Sequence, residues 1–461
     1  MKLAIKHAVP AAISIFVFGL AMSGCESSAP NQPDKTLDKE AVSLKFMYWG
    51  SKDEKSAIEE AIKGFTNKHP WITVNAIQMP GSDYNTKMTA LAAANELPDI
   101  GYMNADLGYS WAEHGMFVNL FDMLDQEEEM KREDYLDMIW YKNSSDEAWG
   151  MSTAGETFGL FYRKDLIEQA GVSVPPADSS SAWTWEQFVD AARRLTIDKQ
   201  GRNALDPAFD SKSIQQYGIM IDFWSEALNN FIFSNGGDWL SKDGTKFILN
   251  QPEATEAIQH VADLINVYHV APSPIEAKSL PEMNLALQSG KAAMVIGGQW
   301  INLDLGNAKV DYDIGVLPKL KTSLSVSVSG VTVLFKRSEH PTEAWMLLKW
   351  LSNPENAINL YSSGLWMPIM KQWYTEPSLI ARWVDANPAA HPPGFKQAVL
   401  EQFLHHTVSG TMYYMKNYAK ITGMVMSGLD DVWIGRKTAQ EALDEVAVLV
   451  KPEIEGRIIK K

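Results

Sequence analysis

One cysteine, Cys25, stands in 461 residues, so no disulfide can form within the chain. Basic residues are few beside acids: 41 Lys and Arg face 57 Asp and Glu, a formal charge of −16. That deficit argues against nucleic acid and phosphate-rich partners and favours solubility. The signatures of common hydrolases and nucleotide enzymes are also missing. No His-Glu-x-x-His, Gly-x-Ser-x-Gly or phosphate loop occurs. There is no internal repeat, and past residue 24 no apolar run is long enough to span a bilayer.

What is present begins with a targeting segment. Lys2 and Lys6 precede an uncharged run from Ala8 to Gly24, too short to span a bilayer comfortably. The run ends in Leu20-Ala-Met-Ser-Gly-Cys25, which resembles a bacterial lipoprotein box with Met22 where Leu is commoner. Cys25 is therefore the expected lipidation site, and two or more acyl chains on it would anchor the protein stably. Residues 1–24 are read as signal peptide. Without them, 39 basic side chains face 57 acids, a formal charge of −18. Residues 25–41, polar and carrying two prolines, read as a tether.

From Val42 strand and helix patterns alternate. Leu44–Trp49 reads as a strand broken by Gly50, and Ser51-x-x-Glu54 as a capping box opening a helix that buries Ile58, Ile62 and Phe65. Ile72–Ile77 and Leu97–Met103 read as further strands, with Asn104 and Asp106 just past the second. Such βαβα alternation predicts a mainly parallel sheet covered by helices. Trp149–Arg163 reads as two short strands joined by a crossing segment, and Val326–Phe335 as one strand.

The stretch Pro281–Trp300 organises the rest. AAMVIGG is a short unbroken apolar run of the kind that suits a strand buried on both faces, and Gln299-Trp300 follow its end. Ligands of open α/β sheets sit beyond the carboxyl ends of strands, so Trp300 is either a core plug or a wall of a binding site. Sixteen Trp are more than a core of this size needs, which points to indoles lining a surface that meets something flat and partly apolar.

Four stretches, in order, carry a family likeness: Leu97-Pro-Asp-Ile100 with its polar loop; Gly155-Glu-Thr-Phe-Gly-Leu-Phe-Tyr-Arg163 through Thr184-Trp185; GKAAMVIGGQW; and HPTEAWMLLKWLSNPEN. On these the chain resembles the sugar-binding extracellular solute-binding proteins of ATP-binding-cassette importers, the family that includes maltose-binding protein. The resemblance implies an α/β, two-lobed periplasmic-binding-protein-like fold joined by hinge crossings. Residues 42–152 and 305–352 would form lobe I, and 153–304 and 353–461 lobe II. It implies a sugar or oligosaccharide in the inter-lobe cleft, permease subunits as partners and a monomer held to the cell membrane by its lipid, outside the cytoplasm. Carried over by position, Asp106 would hydrogen-bond sugar hydroxyls, Glu156 at the first hinge crossing would face the cleft, and Trp300 would stack on a ring. Trp49, Asn104, Trp224, Gln299 and Trp366 would line the same cleft. Met103 stands where maltose-binding protein has a stacking Trp, so maltose is not the expected ligand.

The residue types suit a carbohydrate, whose C–H faces pack on indoles and whose hydroxyls carboxylates bind. A binder of polyamine or phosphate ester is the nearest alternative. A glycoside hydrolase using Asp106 and Glu156 as its carboxylate pair is a remoter one. No catalytic residue, cofactor or metal is assigned: Glu401, His405 and His406 read as a solvated helix face. Asp198, Gln200, Asn203 and Asp206 lack the spacing of a calcium hand.

Overall fold

The computed structural model describes residues 40–458, apart from Glu129 and the side chains of Ser82 and Asp106. Cys25, the signal segment and most of the tether lie outside the described residues. Among those described, no helix is long and apolar enough to cross a membrane.

β-branched and aromatic runs between turn residues give five strands in the first part of the chain: β1 Val42–Trp49, β2 Ile72–Met79, β3 Ile100–Met103, β4 Trp140–Lys142 and β5 Ala148–Ser152. A second group follows: β6 Phe158–Arg163, β7 Ile197–Asp198, β8 Ile214–Ile221, β9 Ala292–Gly298 and β10 Tyr312–Gly315. Three short strands complete the set, β11 Ser325–Ser327, β12 Val331–Leu334 and β13 Thr407–Ser409. Two large sheets result, in the orders β2-β1-β3-β12-β5-β4 and β10-β6-β9-β8-β7, beside a two-stranded one of β11 and β13. The two large sheets are the cores of the two lobes.

The helix starts obey local chemistry. Ser51, Thr184, Ser273 and Thr438 each cap a helix, with Glu or Gln at the third position returning the bond. Helix Lys52–Lys68 buries Ile58, Ile62 and Phe65 against the first sheet, as its periodicity predicts. The strand β9 is buried at every position, as an unbroken apolar run requires.

Three expectations are corrected. The sheets are mixed: only β1–β2, β1–β3 and β8–β9 run parallel within them, and the other ladders are antiparallel. The run Val326–Phe335 is two strands. β11 pairs with β13, whereas β12 enters the first sheet between β3 and β5. The break falls at Ser329-Gly330, where a Cβ on Gly330 would lie 2.6 Å from the indole of Trp49. The lobe boundaries also shift. Tyr312–Gly315, expected in lobe I, pairs with β6 in the second sheet. Residues after 353, expected in lobe II, first return to lobe I, where Asn359 Nδ2 donates to the Ala57 carbonyl at 2.9 Å. Only farther on, in Tyr418–Trp433 and Ala439–Val450, does the chain pack on helix Pro252–Asn266 of lobe II.

Two crossings link the sheets side by side. Residues 153–157 lead from β5 to β6, and residues 328–330 lead back into β12; Val328 N–H donates to the Glu156 carbonyl at 3.1 Å. Thr157 Oγ1 meets Ser325 Oγ at 2.8 Å beneath them.

Candidate functional site

A chamber of about 50 Å³ lies where the crossings leave the first sheet. Its walls come from five places. The carboxyl end of β1 supplies Trp49, and the first turn of helix Lys52–Lys68 supplies Glu54. β3 supplies Tyr102, and the crossings supply Thr153, Glu156, Ser329 and Gly330. Leu365 and Trp366 close it from the returning C-terminal segment. Ligand crevices at strand carboxyl ends are where open sheets put them.

Trp49 is half-buried and stands edge-on to Tyr84 at 5.1 Å and to Tyr102 at 5.0 Å. Trp366 is buried, edge-on to Tyr361 at 6.1 Å. It is held by a local ladder, since Gly155 N–H donates to the Met367 carbonyl at 2.9 Å. Glu54 closes the capping box by accepting from the Ser51 N–H. Gly50 permits this, because a Cβ there would run into the Glu54 carboxylate.

The electrostatics of the chamber are one-sided. Burial pushes Glu156 up to about 8, and the neighbouring Glu54 adds to the rise. Burial pushes Glu54 up to about 7; the Ser51 N–H opposes this and Asp304 adds to it. The Tyr102 hydroxyl is buried without a hydrogen-bond partner. Its ionisation is driven well above the ordinary range by burial, then by Glu54 and Glu156. No Lys, Arg or His lines the chamber.

Trp224 and Trp300 form a separate pair on the second lobe. They flank Phe158, with ring centroids 6.0 and 5.9 Å away, and both are partly exposed. Neither wall of the chamber includes them. Gln299 is fully buried, and its Nε2 donates to the carbonyls of Gly155 at 3.3 Å and Leu365 at 3.4 Å. That makes it a strut for the crossing rather than a group open to a ligand. Asn104 precedes helix Ala105–Glu113 and gives its Nδ2 to Asn85 Oδ1 at 3.0 Å. Asp106 lies in the first turn of that helix, and its side chain lies outside the described residues. Most of the sixteen Trp are core; Trp49, Trp71, Trp224, Trp300 and Trp350 are the partly exposed ones.

Sequence reading missed Glu54 and Tyr102 as chamber residues, and Glu226 as a buried structural acid. Glu54 read as a helix cap alone, although a cap directly after β1 is also at a strand's carboxyl end. Glu226 is fully buried beside Trp224. It accepts from Thr411 Oγ1 at 2.6 Å and from the N–H groups of Thr411 and Met412 at 3.0 Å, plus Asn229 Nδ2 at 2.8 Å. Nothing local announces such a carboxylate, because its partners are supplied by a distant segment.

Two other oxygen or imidazole clusters resolve as structural. Asp198 is buried and accepts from Gln200 N–H, Arg202 N–H, Arg202 Nε and Asp210 N–H within 3.0 Å, which holds its carboxyl down near about 2. Its oxygens are thus taken up by the loop itself. His405 faces Glu401 at 3.5 Å on an exposed helix turn.

The comparisons with known proteins agree with this architecture. The chain is 23% identical to a galactooligosaccharide-binding protein of Bacillus subtilis over 458 residues, 96% of this chain and 97% of the other. It is 24% identical to a lactose-binding protein of Rhizobium radiobacter over 318 residues, 68% of this chain and 67% of the other. Among solved structures, the cycloalternan complex of the ABC substrate-binding protein Lmo0181 from Listeria monocytogenes superposes with a TM-score of 0.77. That match covers 90% of this chain and 99% of that one, at 23% identity. Maltose-bound MalE3 of T. maritima gives 0.72, covering 90% and 100%, at 19% identity. The family model described as bacterial extracellular solute-binding protein matches residues 49–358, two lobes and both crossings included. The chain belongs to the bacterial extracellular solute-binding protein family.

Proposed function

We propose that this protein is the substrate-binding lipoprotein of an ATP-binding-cassette importer, capturing a sugar or oligosaccharide between its lobes and handing it to the permease. The observation that carries the reading is the chamber at the crossings, where two indoles and two carboxyls converge from both chain directions. Indoles pack on the C–H faces of a pyranose and carboxyls take its hydroxyls. The named ligands of the relatives, lactose and galactooligosaccharide, support the same class. Trp224 and Trp300 offer a second apolar wall on the facing lobe, suited to a ligand longer than one ring. Phosphate esters fit poorly, because no Lys, Arg or His among the residues lining the chamber could take an anion. The family's extracellular setting and the Cys25 motif support a lipid-anchored monomer outside the cytoplasm that binds and does not turn over its ligand.

A thermal-shift screen of mono- and oligosaccharides, followed by calorimetry on each hit, tests the reading. Saturable binding of a sugar at one site supports it; a screen in which no carbohydrate raises the melting temperature ends it.

A further inference from the structure

Glu226 is fully buried, Glu156 is half-buried in the wall of the chamber, and the two acids are treated in opposite ways. Glu226 meets four donors from protein groups. The Glu156 side chain is given no hydrogen bond and no cation: the one charge that acts on it is another acid, Glu54. A third polar group, the Tyr102 hydroxyl, is buried beside them with no partner. Half-buried carboxyls that line a chamber beside a buried hydroxyl without a partner leave polar capacity that a ligand can fill.

The surroundings supply none. Behind Glu54 stands Asp304, itself beside Asp53. The remaining ionisable groups coupled to the three are Glu59, which acts on Tyr48, and the tyrosines Tyr48, Tyr84, Tyr141 and Tyr413. All are acids or phenols. Neutral hydroxyls can donate to these acids or accept from them, but only a cation favours their ionised form. An ammonium gives three donors and a positive charge at once.

We infer that the chamber recognises a sugar bearing a basic nitrogen, an unacetylated hexosamine unit, whose ammonium sits between Glu54 and Glu156 within reach of the Tyr102 hydroxyl. The inference rests on the sugar-binding reading and narrows it. Glu54 and Glu156 hold protons near neutral pH when the site is free, so seating an ammonium expels a proton.

The test is calorimetry at pH 7 on the full folded chain with matched pairs: glucosamine and glucose, galactosamine and galactose, diglucosamine and cellobiose. Diacetylchitobiose and spermidine serve as controls. At least one amino member should bind tenfold or more tighter than both its neutral partner and the acetylated control. Its heat should vary with buffer ionisation enthalpy in the sense of proton release. Glu156→Gln, and separately Glu54→Gln, which keeps the capping box, should abolish that preference and the proton release while the melting curve stays cooperative. Neutral sugars binding as tightly as their amino partners overturn the inference and leave the sugar-binding reading standing. So does a preference unchanged in both variants. Binding of spermidine with no sugar bound overturns the sugar reading itself, and binding of none of the probes overturns both.

Discussion

Glu156 sets the chemistry of the crossing at the scale of a single residue. Its carboxyl ordinarily titrates near 4.5, and burial with Glu54 alongside moves it to about 8 in the folded chain. A raised carboxyl favours the protonated folded form, so the free protein loses stability as pH climbs between those two values. Glu156→Gln should therefore stabilise the unliganded protein on the order of 1–2 kcal/mol at pH 8.5 and do almost nothing at pH 4. Denaturant melts at the two pH values check this, and equal effects at both would refute it. Trp49 tests the other half of the site. Trp49→Ala should weaken sugar binding at least about tenfold while leaving the fold, since a stacking ring and its buried area are lost together. Trp300→Ala should do the same if the ligand reaches the Phe158 cluster, and an unchanged dissociation constant would take Trp300 out of the site.

At the scale of elements, what the chain declares locally and what it hides can be separated by cause. The capping boxes, the Lys52–Lys68 helix face and strand β9 were legible, because a cap needs three residues and a buried strand needs one apolar run. Trp49, Glu156 and Trp366, named from motif position, meet in one chamber, and their part in binding is a proposal. The split between β11 and β12 was not: Val326–Phe335 is apolar throughout apart from Ser327, Ser329, Gly330 and Thr332, and only the Trp49 indole over Gly330 shows why it must bend. The antiparallel ladders and the swap of β10 into the second sheet were hidden for the same reason, since register depends on partners far along the chain. Gln299 is the clearest misreading. Its place just past the end of β9 suggested a ligand contact, whereas its amide braces the crossing. Gln299→Ala should cost about 1–2 kcal/mol in chemical denaturation by stranding the Leu365 carbonyl and leaving a void. Gly330→Val, pressing on the indole, should cost binding more than stability. If Gly330→Val binds sugar normally, Trp49 does not shape the site.

For the whole molecule the size of the chamber matters most. About 50 Å³ is far below the roughly 300–1,000 Å³ of small-molecule sites, so the proposed binding of a sugar in this chamber requires the two sheets to part. Ligand binding should then lower the radius of gyration in small-angle scattering, because contacts made from both lobes favour the closed form. Identical scattering with and without a saturating ligand would exclude that motion. Cys25→Ser should release the protein from the membrane fraction into the soluble one, and retention of the variant would dismiss the lipid anchor.

The bond from Val328 to the Glu156 carbonyl fastens the two crossings at the very spot where the unsatisfied acid sits. If the lobes turn about these crossings, as the proposed capture of a sugar requires, the fulcrum is also where the ligand is felt. A displacement of an ångström there, swung through the length of each lobe, becomes a much larger travel at the outer rims. A transporter touching only those rims could tell a loaded carrier from an empty one without ever meeting the cargo.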